Sequence, residues 1–273
     1  MATPATSMNP FFNVERVPVF AQYGDNTIKL PKDVLVNVET SQPVGIVGKD
    51  YKIITNDEVN SLFGEAFSQY KVKETMDFMK KGGETWVRRI VFEDDELSFE
   101  VTKGDVSHIM LEIFNSFNGT TRVGYSLSLF RSICANGMVF GRKNLFGLGF
   151  THVRDNLDTI RSTFEIGSKS IGETIIPVWQ KWTKIPHTMK DMETFVDSRD
   201  YVNNDKMKER ILVKYEEVMN REKHDETRFG AFNAVTEILT HETKSLRGDT
   251  SHIFSNSYRK YERLAMDFYE LPM

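Results

Sequence analysis

"SFNGTTRVGYSLSLFRSICANGMVF", residues 116–140, alternates apolar and small polar side chains almost without interruption. From Val123 to Leu129 the odd positions hold Val, Tyr, Leu and Leu, and the even ones hold Gly124, Ser126 and Ser128. Successive side chains of an extended strand point to opposite faces, so this pattern predicts a strand with one buried and one open side. The preceding segment keeps the same parity, with Ile109, Leu111 and Ile113 also odd. Joining odd to odd requires a loop with an odd number of residues, and Phe117-Asn118-Gly119 meets that need as a type I turn closed by a left-handed glycine. In this register Ile113 faces Val123, Leu111 faces Tyr125 and Ile109 faces Leu127. A two-residue Asn118-Gly119 loop would set Glu112 against Tyr125 and Ile113 against Gly124, mixing the two faces. Asn136-Gly137 reads as the start of another turn into Met138-Val139-Phe140. The middle of the chain is therefore expected to be an antiparallel meander with one apolar face and one face of Ser, Gly and Arg.

Upstream, "PVGIVGKDYKIITNDEVNSLFGEAF" (43–67) reads as strand, Gly-Lys-Asp turn, strand, then a helix capped by Asn56 or Asp57. Val59, Leu62, Phe63 and Phe67 form its apolar stripe. A hairpin through Lys81-Gly82-Gly83 follows, then a turn through the acidic run Glu93-Asp94-Asp95-Glu96. Downstream the period changes to that of helices. Leu157, Ile160 and Phe164 mark the first, with Gly167 and Gly172 softening it before Pro177. Then come Met207, Ile211, Tyr215 and Val218; Phe229, Phe232, Val235 and Leu239; and Phe254, Tyr258, Tyr261 and Phe268. Thr227 and Thr250 are the expected caps. Strands first and helices second make the chain α+β, an antiparallel meander and hairpin sheet with packed helices. Three parts are expected: an N-terminal arm and first strand (1–40), an α+β core (41–185), and a helical C-terminal region packed on it (186–273).

The 273 residues suffice for one sizeable core. A single cysteine, Cys134, excludes an internal disulfide framework and fits a reducing cytoplasm. The opening residues lack the basic start and apolar stretch of a signal peptide. No run approaches the roughly 18 apolar residues of a membrane span. The net charge of −4 argues against a protein that coats nucleic acid over its whole surface, so any phosphate-binding site is regional. Charge is in fact segregated: residues 51–100 hold eleven acids and seven bases, residues 101–150 five bases and two acids.

Motifs for catalysis are missing. The six histidines include no His-Glu-x-x-His pair, and no metal and no cofactor are expected. "GRKNLFGLGF" (141–150) lacks both the Gly-Lys-Ser/Thr ending of a phosphate loop and dinucleotide-site spacing. Cys134 reads as a small apolar residue at the end of a core strand, not as a nucleophile. Glu237 and His241, four apart on one helical face, can meet, and with His152 they are the acid–base grouping that an enzyme reading would need folding to gather. A non-catalytic protein is the expectation.

What the sequence does offer is a basic series interleaved with aromatics. Arg122, Arg131, Arg142, Lys143 and Arg154 alternate with Tyr125, Phe130, Phe146 and Phe150. Grooves for single-stranded nucleic acid combine cations that track phosphates with rings on which bases stack. The candidate interface is Arg122, Arg131, Arg142, Lys143, Phe146, Phe150 and Arg154. Parity divides the arginines: Arg122 lies on the serine side, whereas Arg131 shares the apolar parity and is expected to be buried with a partner.

Five segments together resemble a phage- and plasmid-borne family known as domain of unknown function 932: "VGIVGKDYKIITNDEV" (44–59), "NSFNGT" (115–120), "RSICANG" (131–137), "HVRDNL" (152–157) and "FGAFNAVTEILTHE" (229–242). Where members often show His-Asp-Gly-Ser, this chain has Phe117-Asn118-Gly119-Thr120, keeping the turn glycine and losing the histidine. The resemblance implies a gene of a virus or mobile element and a cytoplasmic protein of the infected bacterium, and it implies no activity. Hairpins followed by a long helix are also similar in layout to phage single-strand annealing proteins, which assemble into rings or filaments on DNA. The expected function is single-stranded DNA binding by a homo-oligomer, promoting annealing in recombination or replication. The alternative is a protein-interaction module contacting a phage or host protein through the Phe11-Phe12 arm or the C-terminal helices.

Overall fold

The computed structural model describes residues 9–80, 82–131, 136–138, 147–150, 157–222, 226–242 and 252–272. Two antiparallel sheets and a helical group make it α+β. Strands β1 (Val14–Tyr23), β2 (Asn26–Asn37) and β3 (Pro43–Gly48) form a small sheet in that order. The large sheet contains β4 (Val72–Met79), β5 (Thr85–Phe92), β6 (Ser98–Thr102), β7 (Asp105–Ser116), β8 (Val123–Arg131), β9 (Asn136–Met138) and β10 (Gly147–Phe150). Its order is β10-β8-β7-β5-β4, with β6 alongside β7 and β9 alongside β8. Helix α1 (Asn56–Ala66) joins the sheets. After the strands come α2 (Leu157–Ser170), a π turn (Ile171–Ile175), α3 (Ile176–Trp182), α4 (Met189–Asp197), α5 (Asp205–Glu222), α6 (Arg228–Glu237) and α7 (Asn256–Tyr269).

Strands β7 and β8 pair odd to odd, as the alternation requires, but two residues out of the expected register: Ile113 faces Tyr125, Leu111 faces Leu127 and Ile109 faces Leu129. The cause lies in the loop. The Ser116 hydroxyl accepts from the Thr121 amide at 2.9 Å and donates to the Thr121 carbonyl at 2.8 Å, closing a wider loop whose apex is Gly119. Gly119 is left-handed (φ +72°), the conformation that costs a glycine nothing. The hairpin between β4 and β5 turns through Gly82 and Gly83, both at positive φ.

Three local expectations are corrected. Helix α1 is capped by Thr55, not by Asn56 or Asp57: its side chain accepts from the Glu58 amide while Glu58 accepts from the Thr55 amide, a reciprocal pair that satisfies two helix-end donors. Residues 51–55 are not a strand. Asn136 and Gly137 are ladder residues of β9 opposite Arg131 and Phe130, so the chain reverses before them. Of the expected caps, Thr227 serves α6 and Ser255 serves α7, while Thr250 lies outside the described residues.

The largest correction concerns the face of Ser and Gly. Ser126 and Ser128 are buried. Ser128 donates to the Met110 carbonyl and Ser126 to Glu112 Oε2. Glu112 stands opposite Arg89 in the β5–β7 ladder and pairs with it at 2.7 Å, and Arg89 donates to the Tyr258 hydroxyl of α7 at 2.7 Å. Opposite charges one strand apart neutralise each other, so this polar face is closed inside the molecule.

One apolar core runs from Val59 to Phe268 and binds helices to the sheet, and α6 is buried at every position. A second, smaller core of Phe12, Leu35, Val44, Val47, Met79 and Phe117 fastens the small sheet to the β7–β8 loop. The N-terminal arm is docked at Phe11 and Phe12: Phe11 meets Trp86 edge-on at 5.8 Å and Phe12 lies 5.4 Å from Phe117. Among the described residues, no helix is long and apolar enough to cross a membrane.

Candidate nucleic-acid interface

Two segments about seventy residues apart meet at the β7–β8 loop. Strand β3 crosses the loop so closely that a Cβ on Gly45 would lie 2.5 Å from the Phe117 carbonyl oxygen, which explains a glycine between the buried Val44 and Val47. Past β3, Tyr51 donates its hydroxyl to the Ser116 carbonyl at 2.9 Å, and burial raises its pKa. Buried Asn115 donates to the Ile54 carbonyl and to Asn56 Oδ1, both at 2.9 Å. From the other side Arg16 pairs with Asp33 at 2.8 Å and donates to the carbonyls of Lys49 and Tyr51, so the 48–51 turn is held in place. Most of these links are side-chain donors meeting backbone carbonyls, those of Ser116, Ile54, Lys49 and Tyr51.

Between the segments lies a cleft of about 340 Å³, with Asp50, Tyr51, Lys52, Thr121 and Arg122 in its walls. Lys52 and Arg122 are exposed, and no carboxylate pairs with either among the described residues. The cleft thus offers an ammonium and a planar guanidinium across an aromatic wall. A guanidinium presents a fork of donors to phosphate or carboxylate, and an ammonium adds a point charge.

Of the expected interface residues, the side chains of Arg122 and Arg131 are described, and their surroundings differ. Arg122 lies in the cleft. Arg131 is 0% exposed, held by Asp105 at 2.7–2.9 Å through Nε and Nη2 and set 5.4 Å over the Phe229 ring. It is a core ion pair and cannot meet a ligand at the surface. Phe150 ends β10 opposite Val123, its side chain outside the description. Arg142, Lys143, Phe146 and Arg154 lie outside the described residues, as does His152. Glu237 is paired with Arg221 at 2.6 Å and Lys214 at 3.6 Å, its charge met by two cations. The helix continues from Glu237 as a π turn (Ile238–Glu242), so α-helical spacing does not carry over to His241. Among the described residues no group of three or more His, Cys, Asp or Glu is placed to hold a metal ion.

Lys52 and Tyr51 were missed by sequence reasoning, which scored basic residues only near the meander. The available signal was that 44–59 and 115–120, two of the segments carrying the family resemblance, are both rich in turn residues. The first supplies Asp50, Tyr51, Lys52 and Ile54 to the cleft and the second Asn115, Ser116 and Gly119, with Thr121, Arg122 and Val123 following directly after it.

A family model described as "Domain of unknown function (DUF932)" matches residues 43–264. No curated protein and no solved structure matches the chain.

Proposed function

The chain belongs to the DUF932 family, whose description carries no activity, and we propose that it binds single-stranded DNA without catalysis, the strand crossing the cleft between Lys52 and Arg122. The observation that supports this reading is the pair of exposed cations, neither in an ion pair among the described residues, at a cleft walled by Tyr51 and Asp50. Because the serine face is sealed, the track runs over the loop end of β7–β8 and not along the meander. Annealing in recombination or replication, oligomerisation on DNA and an origin in a phage or mobile element complete the proposal.

Anisotropy of a labelled oligothymidine, titrated at several salt concentrations, tests it. Each phosphate contact on a single strand contributes roughly 0.7 to the slope of log K against log salt, so these two cations give a slope of about −1.4. Arg122→Ala is expected to weaken binding and to remove about half of that slope. No anisotropy change at micromolar protein and low salt, or a slope unaltered by both Arg122→Ala and Lys52→Ala, overturns the reading.

A second reading is favoured by the small sheet. Val17, Val34 and Ile46 form a cross-strand row on its outer side, and Val17 and Ile46 are exposed, as are Phe20 and Tyr23 toward the hairpin tip. Contiguous apolar surface of this kind marks protein contact. Partners in a host lysate that survive nuclease treatment support this reading, and partners that vanish support DNA. Phe11 and Phe12, docked on their own core, are not the contact.

A further inference from the structure

A second cleft, of about 680 Å³, opens where α2 gives way to the π turn. It lies within the size range of small-molecule sites. Its floor is aromatic. Phe164 is fully buried and packs 5.3 Å from Tyr70, and Phe99 lies so close under the π turn that a Cβ on Gly172 would fall 2.7 Å from its ring. A π turn widens the helix by one residue per turn, which brings Gly172 over that ring and leaves Ser168 facing the gap.

The rim is anionic. Glu96, Glu165 and Glu173 line the cleft with one cation, Lys169, which reaches Glu173 at 3.8 Å. Burial foremost, and with it the charges of Glu96, Glu165 and Asp94, hold the Tyr70 phenol above its ordinary pKa against a hydrogen bond from Gln69. Ser168 supplies an independent sign of a ligand. It is 5% exposed, and its hydroxyl has no hydrogen-bond partner. A helical serine ordinarily returns its hydroxyl to the carbonyl four residues back. This one does not, and a buried polar group without a partner is costly.

The rim's charge repels anions. Among the described residues no three of its carboxylates approach closely enough to hold a metal ion. Carboxylates spaced around an aromatic floor match a ligand whose charges are spaced by methylenes: the chain lies on the rings and the ammonium groups reach the acids. We propose that this cleft binds an aliphatic polyamine, with Glu96, Glu165 and Glu173 taking its ammonium groups and Ser168 accepting one N–H.

Isothermal titration of the full chain, free of nucleic acid and at low salt, with spermidine and putrescine tests this. Saturable binding at one site is expected, tighter for the triamine and weakened by salt. Glu165→Gln is expected to weaken spermidine about tenfold, the scale of one hydrogen bond to a charged group. Ser168→Ala is expected to weaken it severalfold, with thermal melting showing both variants folded. Arg122→Ala, in the other cleft, leaves binding unchanged. No saturable heat up to about 10 mM spermidine, the edge of measurable affinity, overturns the proposal. So does equal binding by 1,4-butanediol, or an affinity untouched by Glu165→Gln and Ser168→Ala together.

Discussion

Two arginines bracket β8, and they have opposite fates. Arg131, at its end, is sealed against Asp105, whereas Arg122, one residue before its start, is exposed in a cleft and makes no ion pair among the described residues. Same residue type, same basic stretch: what separates them is whether the residue sits in the ladder and what stands opposite it. At Arg131 the odd parity faces the helices, and Asp105 at the start of β7 supplies the counter-charge. At Arg122 the chain has left the ladder for the loop. A basic residue in a strand-rich segment therefore carries no functional meaning until its partner is known.

The sharpest way to break this comparison is Arg131→Ala. It leaves Asp105 buried and unpaired, and a loss of about 3–5 kcal/mol is expected, read from urea unfolding. A loss below about 1 kcal/mol would place Arg131 with Arg122 as a surface charge. Gly45→Ala comes next. Its Cβ meets the Phe117 carbonyl at 2.5 Å, so strand or loop must shift, at about 1–3 kcal/mol by the scale of overpacked sites, and oligothymidine affinity should fall with it. Affinity unchanged in a destabilised variant would detach the cleft from the β3 crossing.

A smaller, graded effect is expected on acidification. Burial first, then Lys73, lowers the His108 pKa below 6.5, and burial, opposed by Asp191, lowers that of His187. The unfolded chain then binds more protons between the folded value and 6.5. Stability is full above pH 6.5 and falls as the pH drops through that window. Urea midpoints at pH 7.5 and 5.5 check it, with the difference reduced in His108→Gln. In the neutral form His108 Nε2 accepts from Lys73 and its Nδ1–H donates to Ser98, both at 2.9 Å. The least effect on stability belongs to Arg122→Ala, within about 0.5 kcal/mol, although it is expected to reduce DNA affinity most per unit of stability lost.

Much of the fold was legible because it depends on parity and period. The odd core positions of β7 and β8, the Gly82-Gly83 turn, and the buried Ile211, Tyr215, Phe229, Phe232, Tyr258 and Phe268 all follow from alternation or helical spacing. The register of β7 and β8 was not legible, because Ser116 closing on Thr121 is a side-chain choice that no alternation records. Nor was the sealing of Ser126 and Ser128. A strand face lined with small polar residues reads as solvated, and only the Arg89–Glu112–Tyr258 contact shows a polar interior. The site was least legible of all. Its second cation, Lys52, comes from a segment brought to the loop by a glycine whose importance lies in an atom it lacks.

Helix α6 touches β9, α3, α5 and α7, with Phe229 and Phe232 against Trp179 and Phe229 under Arg131. During synthesis the sheet leaves the ribosome first, yet its fully enclosed neighbour emerges only after residue 227. Until then the nascent polypeptide carries a gap lined by indole rings and an arginine, and this is the interval in which a chaperone would have most to hold.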